Sequence, residues 1–374
     1  MDRLKRFIDC YIPTETCNLR CHYCYITQKR KFNNQIASLP SPQAIRVALS
    51  RQRLGGICLL NFCAGGETLI AEDVIPMIRV LLEEGHYVMV VTNGTMVKRF
   101  EALSKMPQEL TTHLFFKFSF HYLEFKRLNL LDTFFHNIEM MRNAGCSFTV
   151  EITPSDELIP YIDEIKKLCM ERLGTLCHIT IARDDRTNGI DVLSEKDWES
   201  YKKIWGQFQS DLFDFKTTIF YKHRNEFCYA GDWSVYVNLG TGDMRQCYCG
   251  SVIDNIYKQP DKKLRFSAVG THCSMAHCYN GHAFLTLGVI PELNTITYDQ
   301  VRNRTDNLGR EWLQPEMKSF MSQKLADNNE EYSPKQKRQV DRAYRKTYIC
   351  SMPRKLAGRL KRKIKEYDKM VKKV

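Results

Sequence analysis

Residues 7–24 read FIDCYIPTETCNLRCHYC. The apolar run at 7–12 predicts a first β-strand, and three cysteines, Cys17, Cys21 and Cys24, follow it with the spacing C-x3-C-x2-C. Three thiolates on one short loop can hold three irons of a [4Fe–4S] cluster, because thiolates are the usual protein ligands of such clusters. The fourth iron would then keep an open coordination position.

A structural zinc site is the alternative for this loop. Zinc in a closed site takes four ligands, and His22 lies within the run. Its place between Cys21 and Cys24 makes it an awkward fourth ligand. The spacing therefore favours an iron–sulfur cluster and leaves zinc as the competing interpretation.

Strand-like and helix-like segments alternate over residues 1–215. The predicted strands are 7–12, 57–62, 87–92, 113–120, 147–152 and 178–182, and the predicted helices are 41–51, 73–84, 132–144, 161–171 and 195–209. This alternation predicts an α/β fold with a parallel sheet and right-handed crossovers. Six units are fewer than the eight of a closed barrel, so we expect a partial (β/α)6 barrel. Its active face would be formed by the loops that follow the strands.

The cysteine run resembles the signature of the radical S-adenosylmethionine (SAM) enzymes, including the aromatic Tyr23 before the third cysteine. The resemblance extends to a second segment, 63–67, which ends in Gly65, Gly66 and Glu67 and resembles the Gly-Gly-Glu segment of that family. Thr68 stands where the family often has proline. Glycine also suits a position where a ligand must approach the backbone closely.

The resemblance implies a set of cofactor-binding residues. It places Tyr23 near the adenine of SAM and assigns Gly65, Gly66 and Glu67 to the SAM amino group. Asn93, after the third strand, and Ser119, at the end of the fourth, resemble positions that line the SAM pocket. A guanidinium binds a carboxylate with two hydrogen bonds, so either Arg127 or Arg183 is a candidate partner of the SAM carboxylate.

A second group of cysteines follows the predicted barrel. Residues 233–247 read as a β-hairpin, and we select Cys228, Cys247, Cys273 and Cys278 as ligands of a second [4Fe–4S] cluster, with Cys249 as a substitute. The arrangement resembles the auxiliary-cluster modules called SPASM or twitch. A zinc ribbon is the competing interpretation, to which His272, His277 and His282 contribute.

The activity that the resemblance implies is reductive cleavage of SAM to a 5′-deoxyadenosyl radical, which abstracts hydrogen from a substrate. An electron donor such as flavodoxin or ferredoxin is the expected partner. We expect an oxidoreductase or maturase that acts on a peptide or protein. Oxidation or epimerisation of a carbohydrate-like small molecule is the alternative. A zinc-stabilised protein that binds nucleic acid is a remote one, because it needs neither the Gly-Gly-Glu segment nor six βα units.

The remaining cysteines and the start of the chain bear on the cellular compartment. Fifteen cysteines are many for a chain made where disulfides are rare, and seven of them are scattered among apolar neighbours and predicted to be buried small hydrophobes. These are Cys10, Cys58, Cys63, Cys146, Cys169, Cys177 and Cys350. The start resembles no signal peptide, and no window of eighteen apolar residues predicts a membrane span. We expect a cytoplasmic protein.

The net charge of +12 is concentrated at the end of the chain. Residues 335–374 contain 16 Lys and Arg against 3 Asp and Glu, and 356–374 have the apolar spacing of one helix face. Such a basic amphipathic helix predicts binding to an anionic membrane surface or to a polyanion. The expected divisions are the barrel at 1–215, the auxiliary module at 216–290 and the C-terminal extension at 291–374.

Overall fold

A computed structural model describes residues 2–345 of the chain. Eleven strands lie in that part: β1 Arg6–Ile12, β2 Cys58–Ala64, β3 Tyr87–Thr92, β4 Leu114–Ser119, β5 Ser147–Ile152, β6 His178–Ile179, β7 Arg183–Asp184, β8 Asp191–Val192, β9 Ser234–Asn238, β10 Asp243–Arg245 and β11 Val252–Asn255. Nine of these form one sheet in the order β11-β10-β9-β1-β2-β3-β4-β5-β6, and β7 pairs with β8 alone.

The helices of the described part lie between these strands and after them. They are α1 Tyr25–Lys29, α2 Pro42–Ala48, α3 Arg51–Leu54, α4 Val74–Glu83, α5 Val97–Leu103, α6 Gln108–Thr111, α7 Tyr122–Leu128, α8 Leu131–Asn143, α9 Ile162–Leu173, α10 Trp198–Gly206, α11 Asp211–Ile219, α12 Gly281–Phe284 and α13 Pro315–Met321. Residues 334–345 are also helical. Short 3-10 segments occupy Thr68–Ile70, Asp156–Tyr161 and Leu325–Asn328. The predicted helix start at 41 is confirmed, since the hydroxyl of Ser41 accepts from the backbone N–H of Ala44 at 3.2 Å.

The predicted parallel sheet is confirmed. Strands β1 to β6 lie side by side in chain order, each parallel to the next. The sixth strand is shorter than predicted, because beyond Thr180 the chain turns away and the carbonyl of Ala182 accepts a hydrogen bond from Leu193 instead. No helix of residues 2–345 is long and apolar enough to cross a bilayer.

The two faces of the barrel sheet differ in chemistry. On β1 the side chains of Ile8, Cys10 and Ile12 belong to the apolar core under the helices. The alternation of a strand turns Asp9 and Tyr11 to the opposite face, the barrel interior. The other parallel strands follow the same alternation, so that polar residues gather inside the barrel.

The predicted hairpin is present as β9 and β10, with Met244 opposite Val237. It is not a separate sheet. Strand β9 pairs parallel with β1, in the register Phe7 to Ser234, and thereby covers an edge that would otherwise be open. The division of the chain near residue 215 stays a prediction, and the sheet is continuous across it.

The residues after 281 close one end of the barrel. The ring of Phe320 in α13 stacks on Tyr87 at the start of β3, with ring centroids 3.7 Å apart. A second apolar core joins α12 and α13 to the first residues of β1 and β2, Phe7 and Leu59. The barrel interior is therefore plugged at the strand starts and leaves the strand ends for chemistry. The predicted basic helix at 356–374 lies outside the described residues.

Candidate active site

The first cysteine loop lies directly after β1, at the carboxyl end of the sheet. The pKa of the Cys17 thiol is raised to about 11, chiefly by burial and also by the neighbouring Glu67 and Cys24, while a hydrogen bond from the backbone N–H of Leu19 opposes the rise. The pKa of Cys21 is also raised by burial, with additional contributions from Cys24 and Cys17. Each of the three pairs among these thiols is thus within electrostatic reach, which means that the loop brings them together.

The Gly-Gly-Glu segment runs along this loop. The backbone N–H of Gly65 donates to Ile12 at 3.2 Å, and that of Glu67 donates to Thr16 at 3.0 Å. A Cβ on Gly66 would lie 2.0 Å from the carbonyl oxygen of Thr16. The sequence suggested that glycine serves the approach of a ligand. In the structure the group that approaches Gly66 is the backbone of the cysteine loop itself.

The carboxylate of Glu67 joins its own segment to the end of β3. Oε1 accepts from the backbone N–H of Leu69 at 3.0 Å and from the hydroxyl of Thr92 at 2.7 Å, and Oε2 accepts from the backbone N–H of Asn93 at 2.8 Å. Burial raises the pKa of Glu67, and these three hydrogen bonds oppose the rise. A carboxylate offers about four acceptor positions. Glu67 can therefore take one further donor, such as an ammonium group.

The other residues expected near SAM lie around the same loop. Nδ2 of Asn93 lies 3.9 Å from the sulfur of Cys17, and the hydroxyl of Tyr23 lies 2.7 Å from Nδ1 of His121. Ser119 ends β4 and is partly exposed on the interior face. Its neighbour on that face, two residues earlier, is Lys117.

Two arginines, Arg127 and Arg183, are the candidate partners of the SAM carboxylate. Arg127 is exposed and donates to Glu124 at 2.9 Å through two nitrogens. Arg183 lies at the barrel mouth in β7, where its guanidinium donates to the carbonyl of Tyr279 at 3.3 Å. Arg127 is thus already paired with a carboxylate, and Arg183 is the better placed of the two for a ligand.

His22, considered as a fourth ligand, turns away from the cysteines. Its Nε2 lies 2.8 Å from a carboxylate oxygen of Glu157 and 3.0 Å from the hydroxyl of Ser155. A site of three cysteines plus His22 would require this side chain to leave both partners. The arrangement fits three thiolates without a histidine.

The second group of cysteines also comes together. The pKa of Cys278 is raised by burial and then by Cys228, Cys247 and Cys273. Burial raises the pKa of Cys228 to about 12, with contributions from Cys247 and Cys273, and Cys273 likewise contributes to the raised pKa of Cys247. Every pair among these four is thus within electrostatic reach. Cys249 is exposed and neighbours Cys247 and Cys273.

The donor sets bear on the kind of metal group. Within residues 2–345, no three or more His, Cys, Asp or Glu side chains are arranged to hold a metal ion. Cysteine thiolates are the usual ligands of a [4Fe–4S] cluster. The first group offers three of them and the second group four, so both fit such a cluster by their chemistry. Of the histidines considered for zinc, His272 lies 3.7 Å from Asp341 and His277 packs against Phe220.

The barrel interior contains polar side chains that the sequence motifs do not reveal. Cys63 was predicted to be an ordinary buried cysteine, but alternation along β2 turns it to the interior, opposite Tyr11 in register. Its pKa is raised to about 12 by burial and by Asp9, and lowered by Lys117. The available signal was the run of polar residues at alternate positions in otherwise apolar strands.

Comparison with known proteins was consistent with this geometry. Residues 11–169 match the family model described as the Radical SAM superfamily. A curated relative, 7-carboxy-7-deazaguanine synthase of Rhodospirillum rubrum, is 35% identical over 86 residues, which cover 23% of this chain and 34% of the relative. The chain thus matches about a third of that protein's length.

The solved structures that match have low sequence identity and TM-scores below 0.5. The crystal structure of Streptococcus suis SuiB bound to S-adenosylmethionine is 15% identical, with a TM-score of 0.48, over 68% of this chain and 64% of that one. Native anSMEcpe with bound AdoMet and Cp18Cys peptide is 16% identical, with a TM-score of 0.47, over 68% and 78%. The chain spans just under two thirds of SuiB. The family match contains the cysteine loop, the Gly-Gly-Glu segment, Asn93 and Ser119, and residues 11–169 are therefore a radical SAM superfamily domain.

Proposed function

We propose that this protein is an enzyme that cleaves SAM reductively at a [4Fe–4S] cluster held by Cys17, Cys21 and Cys24. The observation that supports this most directly is the cysteine loop itself. Its three neighbouring thiols follow β1, and the loop is hydrogen-bonded along the Gly-Gly-Glu segment. When bound, the cluster and SAM supply a 5′-deoxyadenosyl radical for hydrogen abstraction from the substrate.

The surrounding side chains hold SAM in this proposal. Glu67 accepts the SAM amino group at its remaining acceptor position, and its three hydrogen bonds fix the carboxylate for that task. Asn93 donates towards the sulfur of Cys17. Tyr23, oriented by His121, lies beside the adenine. The closed end of the barrel helps to exclude water from the reacting atoms.

We further propose that Cys228, Cys247, Cys273 and Cys278 hold an auxiliary [4Fe–4S] cluster. The support is the mutual proximity of these four thiols, with the backbone of Cys228 anchored by two hydrogen bonds of 3.1 Å to Gly270. Cys249 is exposed, and it lies within the same turn as Cys247. The electron donor would be a small redox protein such as flavodoxin or ferredoxin.

The proposed substrate is a peptide or protein, as in a maturase. This rests on the resemblance of the late cysteines to auxiliary modules that most often serve peptide modification. Turnover on a candidate peptide with its upstream leader tests the substrate class. We expect formation of 5′-deoxyadenosine to rise with the peptide. A rise only with carbohydrate-like small molecules would contradict a peptide substrate and support the alternative.

Anaerobic reconstitution tests the central proposal. With a strong reductant and SAM, the wild-type protein should release methionine and 5′-deoxyadenosine and contain iron with matching acid-labile sulfide. The triple variant C17A/C21A/C24A should lose the cleavage, whereas C146A, at a cysteine buried in the apolar core, should keep it. Cleavage by the triple variant would refute the proposal, as would stoichiometric zinc without sulfide in the wild type.

A further inference from the structure

Four basic side chains gather at the barrel interior, where Arg183, Arg302 and Lys216 are each within electrostatic reach of Lys117. The interior-facing basic residues that matter here are Lys117 in β4, Arg183 in β7, Lys216 in α11 and Arg302. The carboxylates among them belong to Asp9 and Glu151. In an ordinary closed barrel this space is filled with layers of apolar side chains. In this protein it is lined by charged side chains, which suit a polar ligand.

Both carboxylates are already engaged. Glu151 binds Lys117 at 3.0 Å and also pairs with Arg302. Asp9 accepts from the amides of Asn61 at 2.7 Å and Asn280 at 3.2 Å. Burial raises the pKa of Asp9 to about 6. These contacts leave the two other basic groups without a carboxylate partner.

Lys216 is the most exceptional of the basic residues. It is 9% exposed, and its Nζ donates to the hydroxyl of Thr180. In the part of the chain that the structure describes, neither Lys216 nor Arg183 forms a salt bridge. Burying an ammonium group without a counter-ion is costly. Accordingly burial, and next the neighbouring Arg183 and Lys117, lower the pKa of Lys216.

Imidazoles with unused nitrogens lie beside Lys216. Among the described residues, Nδ1 of His282 and both ring nitrogens of the buried His277 have no hydrogen-bond partner. Helix α12, which carries His282, packs so closely on α11 that a Cβ on Gly281 would lie 2.4 Å from Ile219. Lys216 is therefore among the groups that act electrostatically on His282.

Arg183 connects this place to both groups of cysteines. Its backbone carbonyl accepts from the side-chain amide of Gln28, in the helix that follows Cys24, at 2.9 Å. Its charge acts on Cys63, which faces the interior, and on Cys249, in the second group. Arg183 thus lies beside both cysteine segments, and Lys216 is within electrostatic reach of Arg183. A substrate that reacts there would meet them.

We propose that Lys216, together with Arg183 and His282, forms a subsite for an anionic group of the substrate, a carboxylate or a phosphate. The inference rests on the proposed function, because it assigns the barrel interior to the substrate. The anion supplies the counter-charge that Lys216 lacks. The neutral His282 contributes an N–H donor, and the guanidinium of Arg183 can bind either kind of anion with two hydrogen bonds.

Calorimetric titration of the reconstituted protein with inorganic phosphate and, separately, with glutarate tests the subsite. We expect saturable binding of at least one anion by the wild type, and binding more than about tenfold weaker by K216M. K203M, at an exposed lysine of α10, is the matched control and should bind as the wild type does. K216R retains the charge and should keep measurable binding, which separates loss of the subsite from misfolding.

The two anions distinguish a carboxylate-bearing from a phosphate-bearing substrate. No binding of either anion by the wild type, or equal binding by K216M and the wild type, overturns the subsite. SAM cleavage without substrate is measured on the same wild-type preparation. A protein that binds the anion and cleaves no SAM would refute the proposed function and leave the subsite standing.

Discussion

The side-chain amide of Asn93 lies 3.9 Å from the sulfur of Cys17. The same nitrogen donates to Oδ1 of Asn18 at 2.8 Å, and the backbone N–H of Asn93 donates to Glu67 at 2.8 Å. One residue after β3 therefore joins the cysteine loop to the Gly-Gly-Glu segment. Hydrogen bonds to the sulfurs of an iron–sulfur cluster are among the factors that set its reduction potential.

Replacing Asn93 by alanine should make the first cluster harder to reduce, because the thiolate of Cys17 loses a donor. We expect a more negative midpoint potential in a redox titration followed by electron paramagnetic resonance. SAM cleavage should fall about 10- to 100-fold, the usual cost of removing a partner of a metal ligand. N34A, at an exposed asparagine of the loop beyond the cysteines, is the control. An unchanged potential in N93A would contradict the role of this contact.

Four of the five late cysteines should be ligands of the second cluster, and Cys249 should not be one. Single alanine variants of Cys228, Cys247, Cys273 and Cys278 should each lose about four irons per chain, the content of one cluster. C249A should keep the full iron content, since this thiol is exposed and lies beside the group. Iron and sulfide analysis after identical reconstitution decides between these outcomes. Loss of iron in C249A together with full iron content in C273A would show that Cys249, and not Cys273, is the ligand.

Substituting Gly66 by alanine should disrupt the first site through the backbone. The new Cβ would overlap the carbonyl oxygen of Thr16, 2.0 Å away, and overpacking of this kind costs about 1–3 kcal/mol of unfolding free energy. G206A is the matched control, because Gly206 ends helix α10 with no atom near its Cβ position. It should be neutral or stabilising by up to about 1 kcal/mol. Urea unfolding of both apo variants measures the difference.

Buried His86 should make stability depend on pH. Its Nδ1 accepts from the backbone N–H of Cys58 at 3.1 Å, and its Nε2 lies 2.9 Å from the carbonyl of Leu49. Burial lowers its pKa from 6.5 to about 4. In the unfolded chain His86 therefore becomes protonated below about pH 6.5, whereas in the folded chain it becomes protonated only below about pH 4. Stability supplied by neutral His86 is lost as the pH falls through this window.

The size of this effect follows from the shift in pKa. Between pH 7 and pH 5 the wild-type apoprotein should lose about 2 kcal/mol of unfolding free energy through His86 alone. Urea unfolding at both pH values should show a smaller loss in H86Q, in which no imidazole titrates. Equal losses in the two proteins would show that His86 does not contribute.

The basic end of the chain makes a separate prediction. Deleting residues 354–374, which hold 10 of the 55 Lys and Arg side chains, should abolish salt-sensitive binding to anionic liposomes. Each basic residue near such a surface contributes on the order of 1 kcal/mol. SAM cleavage by the truncated protein should stay at the wild-type level. The measurement is sedimentation with liposomes at low and high salt. Undiminished binding after truncation would show that residues 354–374 are not the membrane-binding segment.

The strands of the barrel could be predicted because their signals are local. Each is a short apolar run bounded by turn residues, and the third and fifth strands, at Tyr87–Thr92 and Ser147–Ile152, begin and end as predicted. The sixth was overestimated, since its apolar pattern continues past the point where the chain leaves the sheet. Local patterns give no information on which strand pairs with which across 220 residues. The parallel pairing of β9 with β1 was therefore missed.

The interior of the barrel was harder to anticipate for the same reason. Arg302 reaches Glu151 from the C-terminal extension, for which the sequence predicted no structure before residue 356. Lys216 looks like a surface lysine, because its neighbours along the chain do not reveal that α11 places it inside. The cysteine loop and the Gly-Gly-Glu segment were recognisable because each is contiguous in sequence. The hydrogen bonds between these two segments, which explain why residue 66 is glycine, could not be recognised from the sequence.

The pairing of β9 with β1 has a mechanical consequence. Strand β1 leads into Cys17, and the hairpin of β9 and β10 leads into Cys247. Because β1 and β9 are hydrogen-bonded to each other within one sheet, the backbone fixes the distance between the two thiol groups. An electron that travels from one to the other would cross a gap set by covalent and hydrogen-bonded geometry rather than by hinge motion. Its transfer rate should then be insensitive to solvent viscosity.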